Sequence, residues 1–73
     1  MTIKALEKLT IGQTAILNEW HNTAERYDAF GDEPDMKKAF NARGKIFGYI
    51  AALKDLGVIT DTEGRTLYIY FTR

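Results

Sequence analysis

The stretch KIFGYIAALKDLGVITDTEGRTLYIYFT, residues 45–72, carries the strongest structural signals in this 73-residue chain. Its first twelve residues repeat apolar side chains at helical spacing, and Gly57 follows as a helix terminator. Leu67, Ile69 and Phe71 then alternate with the residues between them, which is the period of a half-buried strand. With residues 58–60 as a first strand and a turn at Asp61 to Gly64, the stretch predicts a helix followed by a C-terminal β-hairpin.

Residues 34–56 leave two interpretations open. Asp32 and Pro34 suit the start of a helix. In the first interpretation, that helix continues without interruption to Leu56. In the second, the chain turns near Gly44, because a glycine inside a helix costs about 1 kcal/mol relative to alanine and usually has a structural reason. The uninterrupted helix is expected to bury six apolar side chains, namely Met36, Ala39, Phe40, Phe47, Ile50 and Leu53.

The N-terminal part of the chain predicts further helices. Thr10 and Gln13 have the spacing of a capping box, so a helix is expected to begin there. Its apolar residues recur at three- and four-residue steps as far as Phe30, and Gly31 is expected to end it. Residues 2–9 fit a short preceding helix.

The predicted order over residues 34–72, helix–turn–helix–hairpin, resembles that of small winged helix-turn-helix proteins. The resemblance implies that residues 34–41 form the supporting helix and that residues 45–56 form the recognition helix. It also implies that residues 61–65 form the tip of the wing, and that DNA is the leading partner. The expected fold class is α+β: two or three helices followed by a C-terminal β-hairpin, in one domain spanning residues 1–73.

The composition indicates one small globular domain. Hydrophobic residues make up 45% of the chain and charged residues 27%, which is ordinary for a folded protein and unlike a disordered one. A domain of this size buries only about 60% of the surface that its unfolded chain exposes. Because the chain has no cysteine and hence no disulfide, we expect a second subunit to supply stability, as a homodimer.

Several function classes are disfavoured by the residues present. No apolar run approaches the roughly 18 residues of a membrane span, and the N-terminus lacks the apolar core of a signal peptide, so a cytoplasmic protein without membrane contact is expected. The chain contains neither serine nor cysteine, and His21 is its only histidine. Two common nucleophiles and a complete metal-ligand set are therefore missing. We expect no enzyme, no cofactor, no metal and no small-molecule substrate.

Charge is divided unevenly along a chain whose formal net charge is zero. Residues 1–35 hold three basic and seven acidic residues, a net charge of −4, and residues 36–73 hold seven basic and three acidic residues, a net charge of +4. The two halves either neutralise each other or leave a basic face that attracts phosphates. The cations expected to contact DNA are Lys37, Lys38, Arg43, Lys45 and Arg65.

Two features favour a protein partner instead. Tyr68 and Tyr70 are expected on the face opposite the aliphatic side of the hairpin, where they could anchor a protein interface, stack on bases or be covered by the rest of the chain. Gly44 and Gly48 are four residues apart, so on one helix they share a stripe that admits another backbone, either of a partner or of the helix over residues 11–30. The expected function is a small regulatory binding protein that binds DNA, or alternatively a protein–protein interaction module acting as an inhibitor or adaptor.

Overall fold

The computed structural model of the protein describes residues 4–28 and 33–73, and these residues contain helices but no β-strand. The described chain begins with a short 3₁₀ helix, Lys4–Lys8. Three α-helices follow: α1 (Ile11–Asp28), α2 (Glu33–Asp55) and α3 (Asp61–Thr72). The predicted α+β fold class is therefore wrong, since the described residues form an all-α domain.

A capping box starts α1 where the sequence predicted it. The amide of Thr10 donates to Gln13 Oε1 at 2.8 Å, and the amide of Gln13 donates to Thr10 Oγ1 at 3.0 Å. These bonds satisfy donors that a helix N-terminus otherwise leaves unpaired. The short helix predicted before α1 is the 3₁₀ segment, which buries Ala5. The predicted helix end at Phe30 and Gly31 lies outside the described residues.

The helix α2 runs for 23 residues without a break, so the uninterrupted interpretation is confirmed and the turn near Gly44 is wrong. Its end is set by Gly57, whose φ of 77° lies in the left-handed region that favours glycine. The amide of Gly57 donates to the carbonyl of Lys54 at 3.0 Å. The amide of Val58 donates to the carbonyl of Leu53, also at 3.0 Å. This Schellman arrangement stops α2 and frees the chain to reverse direction.

Residues 61–72 form α3, so the predicted β-hairpin is wrong. A second capping box begins the helix: the amide of Glu63 donates to Thr60 Oγ1 at 3.2 Å, and the amide of Thr60 donates to Glu63 Oε1 at 2.8 Å. The predicted hairpin turn, Asp61 to Gly64, is thus the first turn of a helix.

The buried residues of α3 do not follow the alternation expected of a strand. Gly64, Leu67 and Phe71 are buried and follow one another at steps of three and four, as on one side of a helix. Ile69 points away from them and is 62% exposed. A half-buried strand would bury Leu67, Ile69 and Phe71 together, so helical packing decides between the two structures.

The winged helix-turn-helix architecture is not supported. The proposed supporting helix (residues 34–41) and recognition helix (residues 45–56) belong largely to the single helix α2. The proposed tip of the wing, residues 61–65, lies at the start of α3. In the described part of the chain no turn separates residues 34–41 from residues 45–55, and no β-wing follows them. These are the two features by which that scaffold presents a recognition helix.

The core forms around α2, which packs against both α1 and α3. A cluster of buried aliphatic and aromatic side chains joins all the described elements, and its fully buried members include Leu17 of α1, Ile46 of α2 and Phe71 of α3. A smaller cluster consists of alanines, which bring α1 close to the N-terminal half of α2. Its members are Ala24, Ala39 and Ala42.

The buried side of α2 differs from the predicted one. Burial of Ala39, Ile50 and Leu53 is confirmed, whereas burial of Met36, Phe40 and Phe47 is wrong because all three are exposed. Ala42 and Ile46 occupy the core in their place. The helix is therefore turned so that Met36 and both of its phenylalanines face outward.

Two ion pairs hold the N-terminal end of α3. Lys54 Nζ donates to Asp61 Oδ1 at 2.9 Å and ties α3 to α2. Lys8 Nζ donates to Glu63 Oε1 at 2.8 Å and ties α3 to the 3₁₀ helix. These pairs are solvent-accessible, so we expect them to orient α3 more than to stabilise it.

Candidate functional site

A shallow groove of about 260 Å³ runs between α2 and α3. Ile50 and Gly64 are buried and form its floor, whereas Phe47 and Ile69 project from its walls with more than 60% of each side chain exposed. The lining is predominantly apolar, with two cationic side chains among it. The lining residues are Phe47, Ile50, Ala51, Lys54, Gly64, Arg65, Tyr68 and Ile69.

The groove has its shape because α3 approaches α2 at a glycine. A β-carbon built on Gly64 would lie 2.8 Å from Lys54 Cδ and 3.4 Å from Ile50 Cγ2. Further along the two helices, the rings of Phe47 and Tyr68 meet edge to face with their centroids 5.6 Å apart. The two helices are thus in close contact at Gly64, and the Phe47–Tyr68 ring pair holds them further apart at the other end of the groove.

Large apolar side chains continue along α2 beyond the groove. Phe40 is 74% exposed and Met36 is also exposed. Met36, Phe40, Phe47 and Ala51 are spaced by four, seven and four residues, which places them on one side of the helix. We define the apolar face as the exposed surface that these residues form with the two groove residues of α3. Its members are Met36, Phe40, Phe47, Ala51, Tyr68 and Ile69.

The two glycines predicted for an interface lie beside the apolar face. Both Gly44 and Gly48 are exposed, and a β-carbon built on either would have no described atom within 4 Å other than those of its own helix turn. The predicted alternative in which the glycine stripe packs against the helix over residues 11–30 is therefore wrong for the described chain. Ala39 and Ala42 make the close approach to α1 instead.

The two predicted interface tyrosines are separated by the helix. Tyr68 and Tyr70 are two residues apart, which is about 200° around α3. Tyr68 lines the groove. Tyr70 packs edge to face on Phe71 with centroids 4.9 Å apart, and the Arg73 guanidinium lies 5.5 Å from its ring centroid. Of the two tyrosines, only Tyr68 belongs to the apolar face.

Two of the cations predicted to contact DNA turn toward α1. Lys38 and Lys45 line a groove between α1 and α2 together with Glu19. The ammonium of Lys38 lies 4.8 Å from the ring centroid of Tyr27, a cation–π contact. The two lysines of this groove therefore lie near a carboxylate and an aromatic ring, which partly offset their positive charge.

The other three predicted cations lie elsewhere. Arg65 lines the groove between α2 and α3. Lys37 and Arg43 are six residues apart on α2, so they point about 120° away from each other. The five predicted cations consequently do not form one continuous basic surface.

The single histidine connects α1 to the end of α3. His21 Nδ1 lies 2.8 Å from the carbonyl oxygen of Phe71, and His21 Nε2 lies 3.4 Å from Glu25 Oε1. Its ring also meets that of Phe71 at a steep angle, with centroids 6.5 Å apart. Over residues 4–28 and 33–73, no three histidine, cysteine or acidic residues are grouped so that they could hold a metal ion. His21 serves as a packing and hydrogen-bonding residue.

Two carboxylates at the start of α3 have perturbed acidities. The hydrogen bond from Lys54 is the largest cause that lowers the pKa of Asp61 below its ordinary value of 3.8. Hydrogen bonds from Lys8 and then from the backbone of Thr60 lower the pKa of Glu63 below its ordinary value of 4.5. Both groups are held ionised by contacts that build the helix terminus, which is a structural task.

No known protein family, curated protein or solved structure significantly matches this chain. None of the helices in the described ranges is long and apolar enough to cross a lipid bilayer. The sequence predicted Tyr68 at an interface but assigned the other large residues of the apolar face, Met36, Phe40, Phe47 and Ile69, to buried positions. The apolar face is the surface feature that most requires a functional explanation.

Proposed function

We propose that this protein is a small non-catalytic interaction module that binds another polypeptide through the apolar face. The observation that carries the proposal is the exposure of Phe40 and Phe47 on one side of α2 and of Ile69 across the adjoining groove, at 74%, 61% and 62%. Burying one such side chain is worth about 1.5–3 kcal/mol. A domain with so small a core would gain stability by burying these side chains. Their exposure therefore favours a binding role.

The form of the surface also suits a helical partner. The groove between α2 and α3 is bounded by two helices that run back along each other, from the Lys54–Asp61 contact to the Phe47–Tyr68 contact. A third helix can lay its apolar side into such a groove. Phe47 and Tyr68 are the aromatic anchors that interfaces favour.

DNA binding is the second hypothesis, and the placement of charge weighs against it. A DNA-binding surface gains affinity from several cations that can reach phosphates together. Here Lys38 and Lys45 share a groove with Glu19, while Arg65 lies in the other groove. The net charge of the chain is zero, so general attraction to the duplex is weak.

A photo-crosslinking amino acid placed at Phe47 tests the proposal in the cell that naturally makes this protein. Benzoylphenylalanine resembles phenylalanine, and the exposed position tolerates the larger ring. The matched control carries the same amino acid at Ile11, which is 92% exposed on α1 and lies outside the apolar face. We expect a discrete protein adduct from position 47 and none from position 11.

Each other outcome contradicts the proposal in a recognisable way. Absence of any protein adduct at position 47, or equal adducts at both positions, removes the apolar face as a specific binding surface. Binding of the purified chain to mixed-sequence duplex at low salt, measured by fluorescence anisotropy, would favour DNA. In that case replacing Lys37, Lys38 and Lys45 by glutamine should reduce the slope of log affinity against log salt by roughly 0.9 for each phosphate that is no longer neutralised.

A further inference from the structure

Three α2 residues of the apolar face, together with the neighbouring Gly44, form a pattern of large and small side chains that matches itself when a second copy runs in the opposite direction. Phe40, Gly44, Phe47 and Ala51 are spaced by four, three and four residues, which is the spacing of a helix–helix contact seam. Along the seam, large and small side chains alternate. When the helix is read from its C-terminus, the spacing of four, three and four residues is the same, but a small residue stands wherever a large one stood before.

Two antiparallel copies of α2 therefore fit each other along this seam. A single twofold axis between residues 45 and 46 places Phe40 of each copy opposite Ala51 of the other. The same axis places Phe47 of each copy opposite Gly44 of the other. A parallel pair would instead place each phenylalanine at the level of its own counterpart, so the pattern selects the antiparallel arrangement.

The small positions have room for the rings. A β-carbon built on Gly44 would have no described atom within 4 Å outside its own helix turn. Ala51 lines the open groove between α2 and α3. Gly44 is exposed and Ala51 is partly exposed, and neither carries a side chain larger than a methyl group, so both positions leave space beside the exposed phenylalanines for a ring from a second molecule.

Charges at the two ends of the seam agree with the same orientation. Lys37 and Asp55 are exposed and 18 residues apart, which is five full turns, so they lie on one side of α2. The antiparallel pair brings Lys37 of each copy close to Asp55 of the other, whereas a parallel pair brings like charges together.

We infer that the partner of the apolar face is a second copy of this chain, bound through α2 in antiparallel orientation. The inference rests on the proposed function, because it requires the apolar face to bind a polypeptide. It adds the identity of that polypeptide and the contacts that select it.

Sedimentation equilibrium on the purified protein over roughly 5–500 µM tests the inference. We expect the wild type to sediment as a dimer at the upper concentrations. The variant Phe40→Glu should raise the dissociation constant by about a hundredfold or more, because the change occurs twice in a symmetric interface and places a carboxylate against an apolar site. Because Phe40 is 74% exposed, the variant should fold, and circular dichroism checks that it does.

The matched control is Ile11→Glu, an equal exchange of an exposed apolar residue for an acid outside the seam. It should dimerise as the wild type does. A wild type that remains monomeric at the highest concentration overturns the inference, and so does an unchanged dimer in Phe40→Glu. If the purified protein is monomeric while position 47 crosslinks a different protein in the cell, the proposed function stands and only the second-copy partner is rejected.

Discussion

Gly64 lies so close to Lys54 that a β-carbon on the glycine would fall 2.8 Å from Lys54 Cδ and 3.1 Å from Lys54 Cγ. Moving the Lys54 side chain aside would break the bond from its ammonium to Asp61 Oδ1, and Ile50 Cγ2 would still lie 3.4 Å from the new carbon. The close approach of α3 to α2 therefore depends on the absence of a side chain at position 64. This close approach of the two helices sets the depth of the groove from which Phe47 and Ile69 project.

Enlarging residue 64 should separate the two helices. We expect Gly64→Leu to lower the free energy of unfolding by about 1–3 kcal/mol, because overpacking exceeds the gain in helix propensity. Gly48→Ala is the control on α2, where a new methyl group meets open space, and it should raise stability by up to about 1 kcal/mol. Urea unfolding of both variants gives the comparison. Stabilisation by both changes would show that α3 does not contact α2 at Gly64.

The capping box of α3 can be removed alone. Thr60→Ala deletes the hydroxyl that accepts from the Glu63 amide and should cost about 1 kcal/mol, with a loss of helical circular dichroism. Thr62→Ala is the control, because Thr62 lies inside the helix and offers no cap. Equal effects of the two substitutions on unfolding would mean that no helix begins at Thr60.

Acid should weaken the attachment of α3. The pKa values of Glu63 and Asp61 are lowered in the folded protein, from 4.5 and 3.8 respectively. A lowered pKa stabilises the fold at pH values above the unfolded value, and the contribution disappears as the pH falls through the folded value. Unfolding free energies should therefore decrease as the pH is lowered from about 5. Glu63→Gln keeps a side chain suited to the capping box but does not titrate, so its stability should fall less steeply, and an identical acid profile would contradict this assignment.

Two residues near the C-terminus distinguish a helix from a strand directly. Phe71 is 1% exposed, whereas Ile69 is 62% exposed. Phe71→Ala should cost about 3–5 kcal/mol, and Ile69→Ala should change stability by no more than about 0.5 kcal/mol at concentrations where the chain is monomeric. A β-hairpin would bury both side chains, so similar losses in urea melts would favour the strand.

The sequence was informative where a local signal acted without competition. The capping pair Thr10 and Gln13 marked the start of α1, and Gly57 marked the end of α2. At residues 61–72 two local signals competed. Alternating Leu67, Ile69 and Phe71 favoured a strand, while Thr60 and Glu63 had the same capping spacing that was recognised in α1. Packing of Gly64, Leu67 and Phe71 on one side decided in favour of the helix.

The candidate site was harder to predict for a related reason. Sequence periodicity identifies apolar positions but cannot tell whether a large one faces the core or a partner. In α2 the core is filled by Ala39, Ala42 and Ile46, and this releases Phe40 and Phe47 to the surface. Alanines permit close helix packing, so the sequence alone could have suggested that Ala39 and Ala42 are buried. Only the three-dimensional arrangement shows which side of α2 faces the core.

The most direct test of antiparallel pairing uses cysteines in a chain that has none of its own. Phe40→Cys and Ala51→Cys proteins are mixed, oxidised and analysed by mass spectrometry. Antiparallel helices place these two positions opposite each other, near the roughly 7 Å Cα separation that a disulfide can span, whereas two copies of residue 40 lie about 16 Å apart along the axis. We predict a covalent dimer of the mixed composition and little of either homodimer. Ready formation of the Phe40→Cys homodimer, or of no covalent dimer at all, would contradict pairing through the apolar face of α2.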